Sequence, residues 1–249
     1  MPTLVSSYSG DRYARLARVL RYTATRCLPD WSVTIAPSAR FFDAYNAADG
    51  QAPLPPGAQL DKMRVWRRAL DTAPDGAELL LIDADTVILR PLDDIWRESF
   101  DVAYTTHAPA HSPWPINAGV LFLRATPATC AFFAAWCAGT DRMSQASKRE
   151  RARARQEHGS WDQRILAQAL RRWQDQLQTR ALPCLEWNCA DPEWAHRTEA
   201  TRILHIKGSL RAAIFGTQPG RHRRDVLPPL RDLWQRLEQE AIAAGLPLR

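Results

Sequence analysis

The apolar run Leu79 to Ile82, closed by Asp83-Ala84-Asp85, restricts this chain more than any other stretch. Four consecutive apolar residues after Gly76 predict a strand buried on both faces, because a half-exposed strand would alternate apolar with polar. The first polar side chains beyond such a strand emerge at the carboxyl edge of the sheet, where open α/β sheets bind ligands. Strand side chains alternate with a period of two, so Asp83 and Asp85 are expected on the same side. Two neighbouring carboxylates repel each other, and a shared divalent cation relieves that repulsion while offering charge to a diphosphate. The plainer alternative is a pair of acidic turn formers past a strand end.

The remaining pattern alternates strand and helix. Thr3 to Ser6 reads as a strand, Arg12 to Thr25 as a helix with Leu16, Val19 and Leu20 on one face, and Trp31 to Ala36 as a second strand. Gly50 to Gly57 reads as a loop or linker, followed by a helix capped by Asp61 and carrying Met63, Val65, Trp66 and Leu70. Pro91 stops any continuation of the central strand. Further strands are expected at Asp101 to Thr105, Ala118 to Leu123 and Ile203 to His205, with a Pro-broken loop from Ala108 to Pro115. Helices are expected at Pro127 to Cys137, Trp161 to Trp173 and Leu227 to Ala244. The fold class is therefore α/β, with a mostly parallel, doubly wound sheet flanked by helices and no internal repeat.

Composition narrows the function classes. The 249 residues suffice for one substantial core or two closely joined lobes. No stretch approaches the roughly 20 apolar residues that span a bilayer, and the first residues carry no basic-then-apolar leader, so a cytoplasmic location is expected. Cys27, Cys130, Cys137, Cys184 and Cys189 form no C-x-x-C pair, which predicts buried thiols and argues against a zinc site. The net charge of +6 is carried almost entirely by arginine, since lysine stands only at positions 62, 148 and 207. Arginine suits bidentate phosphate binding, so anionic ligands are permitted. Two clusters, Lys148 to Arg155 and Arg221 to Arg224, read either as solvated faces or as basic lips for a polyanion. No aromatics are interleaved with them, which argues against single-stranded nucleic acid.

The segments LDKMRVWRRAL, AELLLIDADTVILRPLDDIW, INAGVLFLRATP, WDQRILAQAL and LHIKGSLR, in that order between Leu60 and Arg211, resemble glycosyltransferase family eight, the glycogenin-like and bacterial galactosyltransferase-like enzymes. The resemblance implies one GT-A domain over 1–249: a nucleotide-binding half to residue 105, a donor-sugar and acceptor half over 106–225, and a C-terminal helix from 226. It implies transfer of a sugar from a nucleotide-diphosphate donor, commonly a UDP-sugar, with a manganese ion and with retention of configuration.

The same resemblance assigns roles. Asp83 and Asp85 of the D-x-D become metal ligands, and His205 of the H-x-x-G block becomes the third. Two carboxylates with one imidazole suit Mn²⁺, with Mg²⁺ as the alternative. Lys62, Asp83, Ala84, Asn117 and Ala118 fall among the donor-binding positions, and Gly208 allows backbone to approach phosphate. Asp162 and Gln163 match the D-Q pair beside the reacting sugar carbon, where they would stabilise positive charge. The chain departs from the family after H-x-x-G, where Arg211, Ala212 and Ala213 replace a lysine followed by Pro-Trp; Arg211 is expected to keep the phosphate contact. Tyr13, or else Tyr8, is the candidate to stack on a uracil.

Two other classes compete. Asp83, Asp85, Thr86 and Val87 also fit the first motif of haloacid-dehalogenase-like phosphatases, although that motif usually lies near the N-terminus. A non-catalytic polyanion binder is the other. For a transferase, an anionic glycan, a lipid-linked glycan or modified nucleic acid is the expected kind of acceptor. The apolar positions Leu230, Leu233, Trp234, Leu237 and Ile242 of the terminal helix could pack on the domain or rest on a membrane surface.

Overall fold

The computed structural model describes residues 1–37, 56–109, 112, 115–216 and 226–246. Eight strands are described: β1 Thr3–Tyr8, β2 Ser32–Pro37, β3 Glu78–Ile82, β4 Thr86–Ile88, β5 Val102–Thr106, β6 Ile116–Arg124, β7 Thr179–Pro183 and β8 Ile203–His205. The α-helices among the described residues are α1 Gly10–Cys27, α2 Pro56–Thr72, α3 Pro127–Gln145, α4 Lys148–His158, α5 Trp161–Arg172, α6 Cys184–Trp187, α7 Gly208–Ile214 and α8 Leu227–Ala243.

Six strands form one sheet in the order β2-β1-β3-β6-β5-β7, and β4 and β8 form a separate pair. β1 pairs parallel with β2 and β3, and β5 pairs parallel with β7. β6 runs antiparallel to both β3 and β5. The sheet is thus mixed and mostly parallel. The reversal at β6 follows from the short connection over 107–115, since a parallel crossover needs a dozen or more residues.

The central strand is buried on both sides. Leu79 and Leu81 join one core with Met63, Trp66, Phe133, Trp136 and Leu166, whereas Leu80 and Ile82 join another with Leu20, Ile88 and Phe122. β6 divides in the same way, Leu121 and Leu123 to the first side, Val120 and Phe122 to the second. α2, α3 and α5 therefore cover one face, and α1 the other.

Several expectations change. Asp61 is not a cap: α2 already begins at Pro56, where a missing N–H costs nothing at a helix start, and Asp61 lies inside the helix bound to Arg64 at 3.1 Å. Most of the expected linker, together with parts of the Pro-broken loop, lies outside the described residues. Lys148 to His158 is a helix, started by Ser147, whose hydroxyl accepts from the Glu150 amide while Glu150 answers the Ser147 N–H. β7, with the sequence TRALP, carries neither alternation nor an apolar run and is legible only from its pairing.

The terminal helix buries its apolar stripe. Leu227, Leu230, Trp234 and Leu237 pack with Leu16 and Val19 of α1 and Leu204 of β8. The Arg15 guanidinium also binds Glu238 through two nitrogens. That stripe is unavailable to a membrane surface, although Ile242 stays exposed. Among the described residues, no helix is long and apolar enough to cross a membrane. All five cysteines are free thiols; burial pushes Cys137 up to about 11 and Cys189 up to about 12.

Candidate active site

The chain leaves β3 at Ile82, and the Asp83 N–H donates to the Gly119 carbonyl of β6 at 2.8 Å. The Thr86 hydroxyl closes a turn onto the Asp83 carbonyl at 2.7 Å, and β4 then pairs antiparallel with β8, setting Thr86 opposite His205. The Ile206 N–H donates to the Asp85 carbonyl at 2.6 Å. A histidine 120 positions downstream is thereby carried to the two acids. His205 Nε2 stands 3.3 Å from Asp85 Oδ1 and 3.8 Å from Asp83 Oδ2. One ligand atom from each lies within 4.8 Å of the others. Ligand atoms about 2.1 Å from one ion stand about 3 Å apart in neighbouring positions, so this donor set fits a single octahedral cation after small adjustments.

Gly119 makes the convergence possible. A Cβ there would lie 2.5 Å from His205 Cε1 and 2.9 Å from Asp83 Oδ2. Glycine is required by close approach rather than by backbone angle.

Cations already attend both acids. Lys62 Nζ donates to Asp83 Oδ1 at 2.8 Å, and the Arg211 guanidinium donates to Asp85 Oδ2 at 2.9 Å. Burial opposes ionisation of Asp85, yet His205, Arg211 and Lys207 outweigh it and hold the carboxyl far below the usual range. Burial likewise opposes the Lys62 charge, but Asp83 and Asp162 raise its pKa overall. Lys62 also lies over the Trp66 ring, 4.5 Å from its centroid.

Asp162 and Gln163 open α5. Ser160 caps that helix, its hydroxyl accepting from the Gln163 N–H and donating to Asp162 Oδ1. Asp162 Oδ2 lies 3.8 Å from Lys62 Nζ, so one ammonium stands between the acid pair and the D-Q pair. The Gln163 amide donates to the His158 carbonyl at the end of α4. Ser160→Ala should cost about 1 kcal/mol of stability through the lost cap. The same change should lower turnover by releasing Asp162; chemical denaturation and steady-state kinetics check the two effects.

These groups line an open cleft with about 950 Å³ of empty space. Tyr13, Lys62, Asp83, Ala84, Asp85, Ala118, Asp162, Gln163, His205 and Arg211 all face it. Asn117 and Gly208 are not among its lining residues: the Asn117 carboxamide oxygen accepts from the Gly119 N–H at 3.0 Å, and Gly208, at φ +58°, packs beside Asp191. Tyr8 and Tyr13 both reach the cleft, and the Tyr13 hydroxyl accepts from Arg211 at 2.7 Å.

Sequence reasoning missed Lys207 and Ser160, which also line the cleft, and Asn188, which holds His205 Nδ1 at 2.9 Å. Lys207 could have been found inside the H-x-x-G block itself. Asn188 follows a tryptophan at the end of a short helix and carries no local signal.

Part of the basic run is tied into the fold and is not free to meet a ligand. Arg151 donates to the carbonyls of Ser144 and Ala146, and Arg153 pairs with Glu157. Lys148 and Arg149 are exposed on α4. Arg221 to Arg224 lie outside the described residues. A second buried group with metal-ligating chemistry, His107, Cys184 and Glu193, lies off the cleft, with His107 Nδ1 2.5 Å from Glu193 Oε1.

The fold recurs among solved glycosyltransferases. The chain is 14% identical to a glycosyltransferase involved in glycosylation of the major capsid of PBCV-1, at TM-score 0.54, with 85% of this chain and 95% of that one covered. It is 13% identical to the galactosyltransferase LgtC bound to donor and acceptor sugar analogues, at TM-score 0.54, with 96% and 95% covered. It is 12% identical to the glycosyltransferase GlyE of Streptococcus pneumoniae TIGR4, at TM-score 0.56, with 98% and 63% covered. No curated protein sequence matches. Identities this low establish the GT-A architecture alone, whereas a sequence model of nucleotide-diphospho-sugar transferases matches residues 61–209. That match takes in α2 with Lys62, the acid pair, the D-Q helix and His205, and on this ground the chain belongs to the nucleotide-diphospho-sugar transferase family.

Proposed function

We propose that this enzyme transfers a sugar from a UDP-sugar with retention of configuration, using Mn²⁺ held by Asp83, Asp85 and His205. The observation that carries the reading is the convergence of two carboxylates and one imidazole nitrogen on a cleft whose other charged groups are Lys62, Asp162, Lys207 and Arg211. Three carboxylates there face three permanent cations, so the lining alone is close to neutral. A bound divalent cation would supply the Lewis acidity and the surplus positive charge that a departing diphosphate needs. Mn²⁺ accepts imidazole together with carboxylate oxygens more readily than Mg²⁺ or Ca²⁺.

The chain's own groups share the remaining work. Lys62 and Arg211, each within hydrogen-bond reach of an acid, are placed to pass to phosphate oxygens. The fixed carboxylate of Asp162 offers negative charge where a sugar carbon loses its leaving group, and Gln163 positions the donor beside it. Ala84 and Ala118 give close approach at the cleft floor, and Asn117 buttresses the turn at Gly119. Tyr13 or Tyr8 stacks on the base. Residues 1–105 form the nucleotide-binding half, 106–225 the half that takes the donor sugar and acceptor while lending His205 and Arg211 to the diphosphate side, and 226–249 the C-terminal helical segment. α4 ends beside the cleft at Gly159 and Ser160, and its far end carries the exposed Lys148 and Arg149, about 15 Å along the helix, where an extended anionic acceptor would meet them. The phosphatase reading is set aside by the family match over 61–209.

The deciding experiment is a melting-temperature screen of UDP-, GDP- and dTDP-sugars with and without Mn²⁺. UDP-sugars should raise the melting temperature in the presence of Mn²⁺, by about 2.7 kcal/mol of added stability at a hundredfold excess over Kd. Stabilisation by nucleotide sugars that ignores Mn²⁺ and is unchanged in Asp83→Asn would overturn the proposal.

A further inference from the structure

Behind His205 runs a buried chain of hydrogen bonds whose direction can be worked out. The Thr105 hydroxyl donates to the Asn117 carbonyl at 2.8 Å. A hydroxyl has one proton, and a backbone carbonyl has none to return, so towards Asn188 the Thr105 oxygen can act only as an acceptor. Asn188 accordingly presents its amide nitrogen to Thr105, at 2.8 Å. Its carbonyl oxygen is then left facing His205 Nδ1 at 2.9 Å. That oxygen carries no proton, so the imidazole must supply one from Nδ1. In a neutral ring the lone pair then sits on Nε2, the nitrogen that looks toward Asp85 and Asp83.

Burial makes the arrangement strict. Asn188 and Thr105 are fully buried and His205 is 2% exposed, so no bulk water can substitute for a partner lost from the chain. Rotating the Asn188 amide by half a turn would set its carbonyl against the Thr105 oxygen, whose one proton is committed to Asn117, so two buried acceptors would face each other; the Thr105 contact therefore fixes the amide, and the amide fixes the ring. Four strands' worth of sequence separate these residues, yet each occupies a rigid place. Thr105 lies on β5, Asn117 on β6 and His205 on β8, while Asn188 caps α6.

We propose that Asn188, itself oriented by Thr105, is a positioning residue that holds His205 in the Nδ1–H tautomer and turns its Nε2 lone pair toward the two aspartates. The consequence for metal binding rests on the reading that this triad takes a divalent cation; the tautomer itself does not. Groups that orient a ligating histidine in this way typically govern affinity without touching the metal.

Two measurements test it. Long-range ¹⁵N–¹H NMR of the metal-free wild-type protein, at a pH where the ring is neutral, should show the proton on Nδ1 of His205. A proton on Nε2, with Nδ1 bare, would overturn the proposal whatever the protein does with Mn²⁺. Calorimetric titration with Mn²⁺ then compares variants. Asn188→Ala should weaken Mn²⁺ binding by about 10- to 100-fold, and Asn188→Asp, which keeps an acceptor facing Nδ1, should recover most of it. Should Asn188→Ala fail to fold, Thr105→Val keeps the shape of the site but removes the hydroxyl and should weaken Mn²⁺ binding, while Thr105→Ser should not. Equal Mn²⁺ affinity in Thr105→Val and the wild type would count against the orienting chain. A wild-type protein with the Nδ1 proton in place but no Mn²⁺ binding would uphold the tautomer and refute the metal reading instead, so the two failures are separable.

Discussion

Gly119→Ala should lower kcat/KM by about 10²- to 10³-fold, comparable to losing a whole charge-stabilising group from an active site. The cause is steric. The new methyl would stand 2.5 Å from His205 Cε1, 3.0 Å from its Nδ1 and 2.9 Å from Asp83 Oδ2. The ring has no easy retreat, because Asn188 holds its far side and β8 fixes its backbone against β4. The Asp83 carboxylate cannot swing away without giving up its hydrogen bond from Lys62. Overpacking of this kind costs about 1–3 kcal/mol of stability, which a domain of this size survives, so the loss should be one of function more than of fold. Steady-state kinetics alongside a thermal melt check this. A variant retaining activity within threefold of wild type would show that the triad is not where the chemistry happens.

Lys62→Met is expected to move two observables in opposite directions. Lys62 sits on Asp83 at 2.8 Å and near Asp162 at 3.8 Å, and so competes with a divalent cation for the first acid. Its removal should tighten Mn²⁺ binding in the absence of nucleotide, by about fivefold if the competing ion pair is worth ~1 kcal/mol. Transfer should fall by about 10²- to 10³-fold, because the ammonium that would pass from carboxylate to diphosphate is gone. Arg211→Met should repeat the pattern in milder form, since its guanidinium is shared between Asp85 and Tyr13. Calorimetry with Mn²⁺ alone and turnover with saturating metal read the two effects. If metal affinity and activity fall together, Lys62 supports the metal site instead of exchanging with it, and the proposed hand-over of cations is wrong.

The neutrality of the cleft lining gives these predictions a common basis. With Lys62 on Asp83 and Arg211 on Asp85, the acids are compensated before any ligand arrives. On the proposed reading, insertion of a divalent ion would free two cations where a diphosphate would carry its charge, so metal and donor should each strengthen the other's binding. An exposed acid pair would bind metal with less dependence on the nucleotide.

Much of this was legible from residues one at a time. The unbroken apolar run Leu79 to Ile82 could only be a strand covered on both faces, and Leu79 and Leu81 do pack opposite Leu80 and Ile82. Asp83 and Asp85 do converge, but not by strand alternation: β3 ends at Ile82, and the turn closed by the Thr86 hydroxyl on the Asp83 carbonyl brings them together. Helical spacing marked Leu230, Trp234 and Leu237 as a buried stripe. Local chemistry fails where the signal is spread over distant partners. β7 is a strand only because β5 offers it an edge, and Asp61 looked like a cap because the helix start at Pro56 sits among prolines that read as loop.

The amino-acid order alone determined the α/β class, the acid pair at a strand end and the helical faces, because each depends on the side-chain pattern of a few neighbouring residues. Tertiary structure decided that β4 pairs with β8 and so delivers His205, that Lys62 stands between two acids, and that Asn188 selects which imidazole nitrogen faces them. Those depend on contacts between residues 17 to 119 positions apart, whose geometry is set by how whole strands and helices pack and leaves no periodic trace in the chain.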